Sequence, residues 1–221
     1  NIAKVHLVQD DQLNKSIGTD ELERIVTQDD VDNKRTIKSL QVRTPNPLAM
    51  NMYTLGYNSN KKLSTLNQTV KENLKTYLSQ YRLVTDAVNI KDAYVINIAV
   101  NFAILTKAEF AKNDVLLRCV SAVKDFFDID RWQIGQPIVL ADIAYELSLI
   151  DGVASVVPPV DSDTVIKIEN KYKVGQGYSG NFYDIKNSMI DGVLYPALDP
   201  SIFEVKFPNA DIKGRVVGDN T

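Results

Sequence analysis

The sequence predicts an α+β protein: a two-layer α/β sandwich with a charged N-terminal connector and a β-rich C-terminal extension. Three observations carry that prediction. Residues 94–104 alternate between large apolar side chains and smaller or amide ones, segments of helical period lie on both sides of that run, and only short β-type runs follow ProPro at 158–159. With 44% hydrophobic and 24% charged residues in 221, the composition is that of an ordinary globular chain with enough apolar material for a real core.

Taken in order, residues 9–39 are polar and charge-rich. QDDQ, DELER and QDDVDNKR surround a short helical candidate whose Asp20 and Glu23 suit an N-cap and its N3 partner. TPNP at 44–47 then favours extended backbone before each proline, which sets a boundary near residue 49 and defines a connector over 1–49. MNMYTLGY at 50–57 reads as a strand, with Met50, Met52, Thr54 and Gly56 on one side and Tyr53, Leu55 and Tyr57 on the other. NSNKK is its exit turn. From Leu66, the spacing Leu66, Val70, Leu74, Tyr77, Leu78, Tyr81 follows the helical period, with Lys71, Glu72 and Lys75 as the polar face.

The longest strand signal is Tyr94, Ile96, Ile98, Val100, Phe102 and Ile104, alternating with Val95, Asn97, Ala99, Asn101 and Ala103. Its large apolar face should carry helices, and its Asn/Ala face suits a wetter or closely approached surface. Asn113 or Asp114 can cap a second helix striped by Leu116, Val120, Val123 and Phe127, with Cys119 and Phe126 widening the stripe. WQIGQPIV at 132–139 reads as a short strand that Pro137 confines to an edge or a strand end. In LADIAYELSLID, Leu140, Ile143, Ala144, Leu147 and Ile150 share one helix face, and Gly152 is placed for a left-handed C-cap before the strand GVASVV. The sandwich therefore spans 50–157, and 158–221 is the β-rich C-terminal region.

Several chemistries lack their residues. A net charge of −3 argues against a general phosphate-binding surface, so no nucleic-acid partner is expected. One cysteine, Cys119, and one histidine, His6, exclude an internal disulfide framework and a Cys/His zinc set. Cys119 reads as core, and His6 between Val5 and Leu7 as a partly buried strand residue. AYVINIAVNFAIL at 93–105 falls short of the roughly 20 residues that span a bilayer, so no membrane partner is expected. A start at Asn1 without Met or an apolar leader suggests a piece of a longer polypeptide.

The G-x-G-x-x-G spacing of Gly175, Gly177 and Gly180 invites a dinucleotide reading, but NFYDIKNSMIDG after it lacks the apolar stripe of a phosphate-facing helix. A Gly-rich hairpin carrying exposed aromatics fits better, and no cofactor is expected. Asp125, Asp128 and Asp130 lack the Gly and terminal Glu of a calcium loop. Paired-carboxylate chemistry is left unsupported, because the many acidic residues offer too many pairs to choose among. The C-terminal region is rich in aromatics, among them Tyr172, and the candidate interface residues are Tyr178, Phe182, Tyr183, Tyr195, Phe203 and Phe207. Some must face partners or a neighbouring domain, unless all of them cover the sandwich.

The segments MYTLGYNSNKKLSTLNQTVKENLKTYLSQYRLVTDAVNI, AYVINIAVNFAI, VLLRCVSAVKDFFDI and WQIGQPIVLADIAYELSLIDGVASV, in that order, resemble the baseplate J-like family of contractile phage tails. Its hallmarks are the extended strand after the RLVTD turn and the ending IG-x-x-I-x-L-x-D-I-x-x-x-L-x-x-I-x-GV-x-x-V. The flanks KSLQVRTPNPLAMNMY and LYPALDPSIFEVKFP resemble the C-terminal portion of the large wedge proteins of T-even-type baseplates. The resemblance implies a structural virion protein without enzyme activity, assembled in the host cytoplasm. It implies self-association through dimers into a ring around the tail hub, contacts with other wedge proteins, and transmission of baseplate rearrangement to sheath contraction. A carbohydrate- or receptor-binding module of a phage tail is the alternative reading.

Overall fold

The long strand predicted at 94–104 is the spine of the molecule. In the computed structural model, which describes residues 2–9, 25–27, 49–81, 87–160, 162–197 and 199–217, it becomes β6, Tyr94–Thr106. A strand this long leaves N–H and C=O groups along two edges, and both must find partners once it is buried. Along one edge run two antiparallel strands, β8 (Val153–Val157) against Ala103–Thr106 and β9 (Ile166–Asn170) against Ile98–Phe102. Along the other run two parallel strands, β13 (Ser201–Glu204) against Tyr94–Asn97 and β14 (Ile212–Val216) against Val100–Ile104. The backbone alternation agrees: Tyr94 N–H donates to Pro200 O and Val217 N–H to Ile104 O on one side, while Lys171 N–H donates to Asn97 O on the other.

The residues beyond 157 are thus not an appendage to a finished sandwich. They are β-rich as expected, but they supply three of the four strands that pair with β6. A parallel partner of β6 had to come from far along the chain, because a parallel pair needs a crossover rather than a hairpin.

The face of β6 bearing Ile96, Ile98, Val100, Phe102 and Ile104 is buried in the core, as the alternation predicts. Helix α2, Lys112–Phe126, packs on it and on β14, and α3, Leu140–Ser148, buries Leu140, Ile143 and Leu147 in the same core. The predicted stripe of α2 is rotated by about one residue: Val115, Cys119 and Val123 are its buried line, and Leu116, Val120 and Phe126 flank it. Neither Asn113 nor Asp114 is the cap. Ala111 holds that position without a side-chain bond, and Asp114 sits in the first turn, where its charge favours the positive end of the helix dipole. Gly152 has φ +97° as the left-handed reading requires, though the helix itself ends earlier, at Leu149. A side chain at Gly152 would also strike Val115 Cγ2 at 2.7 Å and the Phe110 ring at 2.8 Å.

Only Ile138–Val139 of the predicted 132–139 strand is extended (β7), because the earlier residues turn so that Trp132 can stack on Phe127 at 5.5 Å. β7 joins the short β12, Val193–Leu194, which pairs in turn with β11, Met189–Ile190. Most of the Asn/Ala face of β6 is covered: Asn97, Ala99 and Ala103 are buried, and Asn101 is half-buried. Close approach, not water, is what the small side chains permit there.

A second sheet is built on β3, Ala49–Tyr57. It pairs antiparallel with β1, Ile2–Gln9, parallel with β5, Ala87–Asp92, and by hairpin with β4, Leu63–Ser64. The NSNKK turn forms as read, with Asn58 Oδ1 accepting from the N–H groups of Asn60 and Lys62. Strand β1 lies across the expected boundary at 49, so residues 2–9 are sheet rather than connector. The remainder of that connector, including the helical candidate at Asp20 and Glu23, lies outside the described residues, apart from β2, Ile25–Thr27. Ala93 alone separates β5 from β6 and is buried, so the two sheets are joined at a tight corner. Helix α1, Gln68–Ser79, connects β4 to β5, with Asn67 Oδ1 accepting from Thr69 N–H at its start.

Candidate interaction surface

The Gly-rich stretch is a plug against the spine strand. Val174–Gln176 form one 3-10 turn, and Gly177 ends it at φ +87°, where a side chain would meet the Phe207 ring at 3.3 Å. Ser179 then donates its N–H to Asn97 Oδ1 at 2.7 Å and its hydroxyl to Val95 O at 2.6 Å, and Asn181 Nδ2 donates to the same carbonyl at 2.9 Å. Strand β10, Asn181–Tyr183, follows and pairs with β2. The helix after it, α4 at Ile185–Ser188, is a single turn capped by Asp184. These backbone groups are tied to β6, and no helix dipole of useful length faces them.

Asn97 also donates to Glu204 Oε2 at 2.9 Å, and Glu204 Oε1 accepts the Leu63 N–H at 3.0 Å. Glu204 is only 2% exposed, so burial raises its carboxyl above the usual range, against the opposing pull of the Leu63 N–H, Lys206, Asn97 and Lys62. One carboxylate thereby joins β13, β6, the β3–β4 hairpin and, through Asn97, the glycine loop. Directly across that hairpin from Leu63, the Tyr57 hydroxyl donates to Asp130 Oδ1 at 2.5 Å, which pushes the phenol up to about 12. Lys4 Nζ donates to Asp130 O at 3.0 Å and draws β1 to the same corner.

Cys119 is fully buried and its thiol is pushed up to about 11 by desolvation, which keeps it a neutral core group. His6 is half-buried in β1, as its neighbours suggest. Asp128 accepts the Asp130 N–H in a turn, and among the described residues no three His, Cys, Asp or Glu side chains gather to hold a metal ion. A cleft of about 630 Å³ beside Tyr57 is lined by Lys61, Lys62, Lys124, Asp128, Asp130 and Phe127.

The aromatic candidates divide into two kinds. Tyr183 and Phe203 are each 1% exposed, their rings pack together at 5.8 Å, and the Tyr183 hydroxyl donates to Tyr195 O at 2.5 Å. An outward role for these two gives way to a core role, because β13 lies directly beside β6. Tyr178 is half-buried, donates to Asp211 Oδ1 at 2.6 Å and meets Phe207 edge-on at 5.4 Å. Asp211 belongs to the single turn α5, Pro208–Asp211. Phe182 is half-buried against Tyr172 at 5.2 Å. Tyr195 and Phe207 remain exposed.

A larger apolar surface lies where the sequence reading expected a covered helix. No residue of α1 is buried. It sits on β5 through Lys71, whose Nζ meets Asp92 Oδ2 at 2.6 Å, while Gln68, Glu72 and Lys75 line a shallow cleft along β5 with Asn89, Ile90 and Lys91. Tyr77, near the end of the helix, and Tyr81, just beyond it, bring their ring centroids within 5.1 Å of each other. Exposed apolar side chains occur on both the sheet and the helix: Val5 is 46% exposed, Leu7 53% and Met50 41% in β1 and β3, and Tyr77 57% and Tyr81 72% at the end of α1, while Met52 and Thr54, on the same sheet face as Leu7 and Val5, are buried. None of these residues is charged, and neither are Asn73, Thr76 and Gln80 beside the tyrosines. The signal was present in IAKVHLV and in the stripe through Tyr77 and Tyr81, but periodicity does not say which chain covers a stripe.

Comparison of the chain with models of known protein families finds no match, and comparison with curated proteins finds none either.

Proposed function

We propose that this chain is a structural subunit of a contractile phage tail baseplate. In this reading it belongs to the wedge, associates with copies of itself into a ring around the tail hub, binds other wedge proteins, and passes baseplate rearrangement to the sheath. The observation that supports it is the uncharged apolar face of β1, β3 and α1. Single exposed apolar residues are ordinary on a globular protein, whereas several half-exposed Val, Leu, Met and Tyr side chains on the elements of one sheet and its helix suit a surface that another protein covers. The ordered resemblance over 50–157 says which kind of assembly supplies the cover, and the packing of α2 and α3 on β6 is compatible with the two-layer sandwich that the resemblance implies.

A saccharide-binding role would need open rings. Tyr183 is buried and Tyr178 is held by Asp211, which leaves Tyr195 and Phe207 as the exposed rings among the candidates. Electron microscopy of the concentrated protein, alone and mixed with other wedge proteins, tests the wedge reading. Arcs, rings or a stable complex are expected; a protein that neither self-associates nor binds any wedge component would overturn it.

A further inference from the structure

We infer, independently of the wedge reading, that the sheet built on β6 carries a site for one dianionic phosphate group on its outward face. Asn101 is its floor, and Lys167, Lys213 and Arg215 surround it.

Strand β6 turns Ile98, Val100, Phe102 and Ile104 into the core under the helices, so Ala99, Asn101 and Ala103 stand on the other side. Asn101 has an alanine before and after it on that face, in the middle of a strand paired along both edges. Its side chain is half-buried and has no hydrogen-bond partner among the described residues. An amide withdrawn from water without a partner is unfavourable, and a ligand that accepts from it relieves that cost.

The walls follow from strand register. Directly opposite residues on neighbouring strands share a face, and Asn101 lies opposite Lys167 of β9 on one side and Lys213 of β14 on the other. Arg215 is opposite Ala103, the next residue along that face. Gly214 confirms the sidedness: a side chain there would strike Phe102 and Leu116, on the helix side. With strands about 4.8 Å apart, Lys167 and Lys213 leave the sheet about 10 Å from each other with the amide midway, a gap that two long side chains can close. Lys213 and Arg215 are exposed and form no ion pair among the described residues.

Charge decides the class of ligand. Three cations surround one neutral amide, in a chain whose net charge is −3. Glu169, opposite Ala99, shares the face and meets Lys167 Nζ at 3.0 Å and Lys171 Nζ at 3.4 Å, so it keeps a partner when Lys167 turns to a ligand. Partly exposed pairs of this kind contribute little, and giving one up costs little. A carboxylate ligand would bring one charge and two oxygens. A phosphate group brings a charge of about −1.5 to −2 and three strong acceptor oxygens, which suits an amide, a guanidinium fork and two ammonium groups. The cluster is too small to track a nucleic-acid backbone, which needs many such contacts in a row.

Nuclear magnetic resonance of the complete chain at low salt, titrated with inorganic phosphate, tests this through the side-chain signals of Asn101 and Arg215. Both should shift and saturate, with a dissociation constant on the order of 1 mM, as a few charge-assisted hydrogen bonds would give. Asn101→Ala, which extends the alanine pattern of the strand, and Arg215→Gln should each weaken binding on the order of tenfold, with the amide spectrum as the check of fold. Lys124→Gln, on α2 at the helix side of the sheet, should leave the affinity unchanged. Acetate at equal ionic strength should give no saturable shift. Glycerol 3-phosphate separates two sources of the same group: binding as tight as or tighter than that of inorganic phosphate supports a phosphate carried on an organic body, and binding of inorganic phosphate alone supports the free ion. Shifts that rise linearly without saturating, that acetate reproduces, or that persist undiminished in both face variants overturn the inference.

Discussion

Glu204 is the residue whose chemistry is most exposed to test. Its folded carboxyl titrates above the ordinary value of about 4.3, because burial outweighs the two hydrogen bonds and the nearby lysines. The folded chain therefore holds that proton more tightly than the unfolded chain. The favourable contribution is fully present below the ordinary value and is lost as pH rises through the folded one. Glu204→Gln removes the titration, and its amide nitrogen must face either the Leu63 N–H or Asn97 Nδ2, which costs about 1–3 kcal/mol for one unmet donor. Urea unfolding of both proteins between pH 4 and 7 should show the native chain losing its advantage over the variant as pH rises; a widening advantage would contradict the placement of the carboxyl. Phe203 makes a second point at this scale. In sequence it looks like Phe207, an aromatic in a short β run, and both suit a partner surface. Parallel pairing with β6 buries the first, and the Gly177 turn leaves the second at the rim. Phe203→Ser should cost about 3–5 kcal/mol of folding stability by the measure of deleted core aromatics, visible as a lowered urea midpoint, and should act on association only through folding. A stable variant with a changed assembly mass would reverse that.

Among the elements, those legible in sequence are the ones whose pattern is set by their own backbone period. The strands β3 and β6, the helices α2 and α3 and the NSNKK turn stand where alternation, helical spacing and turn chemistry put them. Facing was less legible, because it is decided by what arrives from elsewhere. The stripe of α2 turned toward Val115 and Cys119 to meet β14, a strand that begins almost a hundred residues later. The stripe of α1 is only half covered among the described residues: Val70, Leu74 and Leu78 are half-buried, and Tyr77 and Tyr81 are exposed. The glycine fingerprint is followed by a single helical turn, and nothing in KVGQGYSGN announces that Ser179 closes on Asn97. Two substitutions test how α2, α3 and the turn that follows α3 lock together. Leu147 is fully buried on α3, so Leu147→Asp would strand a charge in the core and leave no native circular dichroism signal at ambient temperature. Gly152→Ala meets both a backbone angle that disfavours side chains and atoms at 2.7–2.9 Å. Overpacking in a filled core costs about 1–3 kcal/mol, so the melting temperature should fall by several degrees, whereas an unchanged melting temperature would show that Phe110 and Val115 yield freely.

At the scale of the molecule, the prediction concerns what folds as a unit. Composition and the ProPro punctuation suggest that 50–157 could stand alone, with a connector before it and an extension after it. Strand pairing says otherwise. Cutting at 157 removes β9, β13 and β14, and β6 would keep only β8, which pairs with Ala103–Thr106. The backbone groups from Tyr94 to Phe102 would lose their sheet partners, and Ile96, Ile98 and Val100 would lose the strands that shield them at the edges. Cutting at 49 removes β1, the antiparallel partner of β3, together with the Lys4 contact that holds this corner to Asp130. A fragment of residues 50–157 should therefore show no cooperative urea transition, bind a hydrophobic dye and give little near-ultraviolet dichroism from Trp132. The complete chain should give a single transition with Trp132 ordered against Phe127. Cooperative unfolding of the fragment with the same Trp132 signal would mean that the sandwich core alone suffices, and that the C-terminal strands were added to a domain already complete. The expected failure of the fragment follows from one property of β6: a strand of 13 residues, apolar on one face and small on the other, is stable only when both of its edges are filled.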